Sequence, residues 1–193
     1  MSEQSHVLSY AFKLPLRSEP PAFDELIVVF HDWIRTKALA DDVLIDVADY
    51  AHVQEGPGVL LVCHEGHYVL DRSRGSVGLA YHRRRGVPAA IAGETAAVAL
   101  RRLIRAARLL EQDERLRGKL AFDTTSLEIR ALDRLRAPND AEGWTAIEVP
   151  IREAIASVWR EPPLELVRED GDPRRPLSAR ARLSARTLSD LAV

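Results

Sequence analysis

Between Asp46 and Asp71 the chain gathers three of its six histidines, its single cysteine and five carboxylates, in DVADYAHVQEGPGVLLVCHEGHYVLD. The residues around these groups otherwise read as buried strand. A buried polar group costs free energy unless it is partnered, so the mixture points to a site or to internal pairing. His52 and His64, with Asp46 near them, are candidate metal ligands. His64 and His67 are not a zinc-protease pair. That chemistry needs four-residue spacing on a helix, and three-residue spacing on a strand turns the rings to opposite faces. Asp49 and Glu65 are candidate catalytic acids, because two carboxylates among apolar neighbours push one pKa up and leave an acid beside a base. The competing reading pairs each with an arginine. Cys63 ends the run Val-Leu-Leu-Val-Cys, a core setting in which a thiol serves as a small hydrophobe.

A hairpin must position these groups. A loop over 54–58 opposes Val53 to Val59, Asp49 to Cys63, Val47 to Glu65 and His52 to Leu60. Alternation then gathers Asp46, Tyr50, His52, His64 and Tyr68 on one face as a candidate ligand-binding set. Asp49, Cys63, Glu65 and His67 share the other. A slip of one residue would scramble both sets.

Around the hairpin, hydrophobic periodicity predicts a half-buried strand over 7–14 with Lys13 on its polar side, a helix over 23–34, and strands over 43–53, 59–70 (one long or two short) and 76–82. A long helix from Gly93 or Thr95 follows. Residues 119–123 and 127–132 read as a hairpin. Asn139 with Glu142 reads as a capping box, and the helix it opens should kink or split at Pro150. A last hairpin spans 164–168 and 177–183. The fold class is therefore α+β, a mainly antiparallel mixed sheet with about three helices covering one face. Residues 1–186 form a single domain, and 187–193 are expected to fray.

The net charge of −2 conceals a division. Residues 1–71 carry 4 Lys/Arg against 12 Asp/Glu, whereas residues 72–119 carry 12 against 4. Acidic and basic segments facing one another, within the fold or across a homodimer, is the first reading. Arg83, Arg84 and Arg85, with Arg101, Arg105 and Arg108 striped along the long helix, are candidate contacts for an anion or a partner. There is no glycine-rich phosphate loop, zinc-ligand spacing or aromatic-interleaved RNA-binding pattern, so no cofactor is implied and nucleic acid is disfavoured. No apolar run approaches the ~20 residues that span a bilayer. One cysteine and the absence of a secretory start lead to a cytoplasmic expectation.

The chain also resembles an uncharacterised family of small bacterial proteins. The resemblance rests on Asp46-Val-Ala-Asp-Tyr50, His52-Val53, Gly56-Pro-Gly58, His64-Glu65, Tyr68 and Leu70-Asp71, extending to Gly78-Leu-Ala-Tyr81 and Ala137-Pro-Asn139. It carries no activity or ligand across. The functional expectation is a homodimeric ligand- or partner-binding module using the 46–71 hairpin. The alternatives are a hydrolase at His52/His64 or Asp49/Glu65, and an assembly protein pairing acidic and basic surfaces between copies.

Overall fold

The computed structural model describes residues 9–50, 52–53, 56–84 and 92–193, with backbone alone at 74 and 92–94. Eight strands form one antiparallel sheet in the order β2-β3-β4-β5-β1-β6-β8-β7. The strands are β1 (Tyr10–Pro15), β2 (Leu44–Tyr50), β3 (Gly58–Cys63), β4 (Gly66–Asp71), β5 (Gly78–Arg83), β6 (Ser126–Ala131), β7 (Glu165–Glu169) and β8 (Leu177–Arg182). The helices are α1 (Phe23–Thr36), α2 (Ala92–Gln112) and α3 (Ala141–Trp159). No helix among the described residues is long and apolar enough to cross a membrane.

Side-chain alternation explains the layering. Tyr10, Phe12 and Leu14 of β1 share a face with Leu61, Tyr68, Leu79, Tyr81, Ile129 and Ala179 of the neighbouring strands. Together with Leu26, Phe30, Leu100, Ile104, Ile151 and Trp159 of the helices they form the core. All three helices contribute to that core, so the other face of the sheet carries no helix among the described residues. It is nevertheless partly sealed: Ala11, Lys13, Val69 and Ala80 on it are all buried.

Several expectations are corrected. The 46–71 hairpin is shifted by four residues, so that Asp49 opposes Val59, Val47 opposes Leu61 and Tyr50 opposes Gly58. A bulge at Ile45 then brings Leu44 opposite Cys63. The shift arises because the chain turns immediately after Tyr50, whose carbonyl accepts from the Val53 N–H at 2.9 Å, so His52 and Val53 belong to the turn and Gly58 pairs with Tyr50. The 59–70 segment takes the second of its two expected forms, two strands, joined at His64-Glu65 with Val62 opposite His67. That reversal moves His67 to the helix-free face and buries Tyr68 in the core. Gly66 closes the turn because any Cβ there would stand 2.5 Å from the Tyr81 ring.

Residues 119–123 are not a strand. Phe122 makes one bridge to Leu16, and β6 pairs with β1 and β8. Asp140, not Asn139, caps α3 by accepting from the Gly143 N–H at 2.8 Å. The helix runs unbroken through Pro150, since buried Ile147 before the proline and Ile151, Ile155 and Val158 after it anchor both halves. The C-terminal residues pack back onto the fold. Leu188 and Leu191 are buried, and Arg108 of α2 donates to both of their carbonyls, with contacts of 2.6 Å and 3.0 Å from Nη2.

Candidate functional site

The residues singled out from the sequence separate. His52 lies exposed in the turn after β2 and His64 in the turn after β3, a strand's length apart, roughly 20 Å for six residues. Asp49 and Glu65 are divided in the same way. Asp46 and Tyr50 are exposed on edge strand β2, whereas Tyr68 has no exposed surface. Among the described residues no group of three histidine, cysteine or acidic side chains is placed to hold a metal.

Glu65 meets Arg102 of α2 at 2.7 Å. The same guanidinium donates to Tyr81 Oη at 2.8 Å and to the Asp41 carbonyl at 2.9 Å, and stands 3.5 Å from Asp42. Arg105 pairs with Asp41. The acidic segment and the basic helix therefore meet inside one copy of the fold. Burial raises the Asp42 pKa against the pull of Arg102, with Glu65 adding to the rise. Burial, followed by Asp42, raises the Cys63 thiol far from any nucleophilic range. Arg83 is buried, Arg84 reaches the His64 carbonyl at 3.4 Å, Arg101 reaches Ser157 at 3.5 Å, and Arg85 lies outside the described residues.

The chemically dense region is instead the helix-free face. Register aligns two rows of side chains across it. One runs Val62, His67, His82, Ala11, Arg130, Ser178, Glu169; the other runs Leu60, Val69, Ala80, Lys13, Glu128, Arg180, Val167. Lys13, only 3% exposed, donates to the carbonyls of Ser73 and Ser76 at 2.8 and 2.7 Å and stands 3.9 Å from both Asp71 and Glu128. Ser76 in turn donates to Glu128 at 2.5 Å. The cluster ties the 72–77 segment down over the sheet.

Beside it, Arg130 Nη2 lies 3.1 Å from Asp71 and 3.1 Å from His82 Nε2. Burial, then Arg130, lowers the His82 pKa to about 4, so its ring is neutral and its nitrogen accepts from the guanidinium. Burial opposes ionisation of Asp71, but the hydrogen bond from the Ser73 backbone N–H at 2.7 Å, with Lys13 and Arg130, outweighs it and holds the carboxyl below its usual range.

These groups border a cavity of about 320 Å³, within the range of small-ligand pockets. Arg130 and Ser178 lie in its floor, Ser73 comes from the tied-down segment, and the β7–β8 turn closes it with Gly171 and Arg175. Asn139, which is nine-tenths buried, also lines it. Its Nδ2 donates to the Asp172 carbonyl at 3.1 Å, while its Oδ1 has no hydrogen-bond partner among the described residues. A cavity of about 420 Å³ between α1 and β2 is mostly apolar, lined by Ile34, Leu39, Val43 and Leu44. A third, of about 360 Å³, lies over β7 and β8.

None of Lys13, Asp71, His82, Glu128 or Arg130 was in the sequence-derived set. The signal available was polar residues at alternate positions within strands that are apolar on their other side, as in Glu128 and Arg130 of SLEIRA. It identifies a face but not the strands that will lie beside it. No protein-family model matches the chain, and neither a curated protein nor a solved structure matches it, in keeping with resemblance only to a family of no known activity.

Proposed function

We propose that the chain is a small-ligand-binding module whose ligand occupies the cavity between the 72–77 segment and the β7–β8 turn, in place of the 46–71 hairpin. The observation that carries this reading is the Arg130 guanidinium, held by Asp71 and His82 in the lining of a cavity of about 320 Å³. A polar side chain fixed by its neighbours at a cavity of ligand size is placed to bond what enters. The test is to plug the pocket. A Cβ on exposed Gly171 would stand 3.6 Å from Asn139 Nδ2, an ordinary contact, so Gly171→Trp sets an indole at the mouth without disturbing the fold. Hits from a fragment screen read by ligand-observed NMR should bind the wild type and be lost in G171W. Hits that bind both proteins equally, or none at all, defeat the proposal.

A second reading, homodimer assembly through β2, is favoured by the exposure of Val43 just before that edge strand and of Ile45 and Tyr50 on it, 66%, 53% and 42% respectively. Sedimentation should show a dimer that Ile45→Lys converts to monomer. A wild type that stays monomeric at high concentration sinks that reading.

A further inference from the structure

We infer that the cavity between α1 and β2 is a second binding site, built for a small amphipathic anion: an apolar body ending in one carboxylate. It shares no lining residue with the pocket under the β7–β8 turn, and either site can fail without the other. Local structure makes it. α1 ends at Lys37, whose φ of 54° turns the chain off the helix axis. A turn in which the Asp42 N–H donates to the Leu39 carbonyl at 3.0 Å then carries the chain into β2. No described strand lies beyond β2, so the helix end and the start of the edge strand part around a cavity of about 420 Å³. Ile34, Leu39, Val43 and Leu44 supply branched aliphatic walls, from Leu39 at 3% exposure in the floor to Val43 at 66% at the rim. A cavity of that size and lining takes an apolar guest, since each methylene removed from water tightens binding about fourfold.

Charge decides what the guest must carry. Among the described residues of the lining, Asp42 is the one acid and Lys37 the one cation. Asp42 presents no charge to the cavity: both carboxylate oxygens are sealed from solvent, and Arg102 stands 3.5 Å away. Asp41, next to it, is taken by Arg105. Lys37 is the reverse. It is exposed, and its ammonium makes no hydrogen bond or ion pair with any described residue. Its four-carbon stem is long enough to bring that charge over the mouth. The partial negative charge of the α1 C-terminus would oppose an anion. It is reduced because the Lys37 and Ala38 N–H groups take the Ile34 and Trp33 carbonyls, at 3.4 and 3.1 Å. An unpaired cation over an aliphatic hollow is complementary to a carboxylate on an apolar chain. A cationic guest of the same shape would meet repulsion instead.

The experiment titrates the ¹⁵N-labelled full chain with octanoate, read at the Leu39, Ala40, Val43 and Leu44 amides. Hexanoate, 1-octanol and octylamine are the counterparts. Octanoate should shift these resonances, hexanoate should bind about tenfold more weakly, and octylamine should leave them in place. The alcohol should bind more weakly than octanoate. Lys37→Gln, at an exposed position with no partner to lose, should leave melting unchanged, weaken octanoate about two- to fivefold and leave 1-octanol unaffected. Ala40→Trp, which fills the exposed mouth, should abolish binding of both, and Gly171→Trp should change neither. If octanoate shifts nothing, or loses its effect in G171W, the inference falls, while the other pocket stands or falls by its own screen. If 1-octanol and octylamine bind as tightly as octanoate and K37Q changes nothing, the carboxylate assignment is overturned. If the resonances move with protein concentration and not with octanoate, a second copy covers the cavity and the inference is overturned.

Discussion

Lys13 shows how far a single side chain's role depends on strands that its local sequence does not reveal. In YAFKLP it sits on the polar side of an alternating strand and reads as solvated, yet it is 3% exposed between two carboxylates and two carbonyls. Removing one member of a buried charge cluster leaves the others uncompensated, a loss of about 3–5 kcal/mol. Lys13→Met should therefore lower stability by that order in denaturant melts, although methionine fills similar volume. His82 supports a second prediction. Its folded pKa of about 4 lies below the unfolded value near 6.5, so the native state resists a proton that the unfolded chain accepts. Its contribution is complete above pH 6.5 and disappears as pH falls from there to 4, amounting to about 3 kcal/mol. His67 shifts in the same direction, from burial and then Arg84. His82→Gln, which keeps an acceptor toward Arg130, should flatten much of the stability change across that window. An unchanged slope would show that the buried imidazole is not its source.

Among the elements, those set by local periodicity were legible and those set by distant partners were not. α1 and the β7–β8 hairpin lie close to where their apolar spacing puts them, because amphipathic repeats and turn residues act over short range. The 46–71 hairpin kept its face division between β2 and β3, since a shift of four residues preserves parity. The candidate site nevertheless dissolved, because the reversal at His64-Glu65 exchanged the faces of His67 and Tyr68. Residues 119–123 looked like a strand, but β6 found better partners in β1 and β8. The chain's end is the clearest case. Nothing in its composition announces that Arg108, some 80 residues earlier, will take its carbonyls. Hydrogen bonds from a charged donor are each worth about 1.5–3 kcal/mol. Arg108→Ala should release the Leu188–Asp190 turn, seen as faster amide exchange at Ala192, whose N–H bonds the Val158 carbonyl at 2.9 Å, while α2 itself stays protected.

At the scale of the molecule, the charge asymmetry resolves into pairing within the fold. Lys119 takes Glu25, Arg115 takes Asp32 at 3.3 Å, and Arg102 and Arg105 take the acids before β2 and after β3. The basic stripe of α2 is thus largely occupied. The sheet's two ends are managed differently. β7 carries Glu165, Arg168 and Glu169, whereas β2 interrupts itself with a bulge and outward acids while still exposing Ile45. Charges and bulges are the usual protections of an exposed edge.

The tie made by Lys13 has a consequence for the order in which this molecule can assemble. Its bonds to Ser73 and Ser76 span 60 and 63 residues, and the Ser76–Glu128 bond spans 52. Contacts of such high sequence separation form slowly, because the loop-closure entropy must be met before they return any stability. β1, β4, β5 and β6 must all be in register before the ammonium has anything to hold. The pocket wall is therefore among the last features to appear during refolding. A chain with its helices and most of its sheet in place would still be unable to bind.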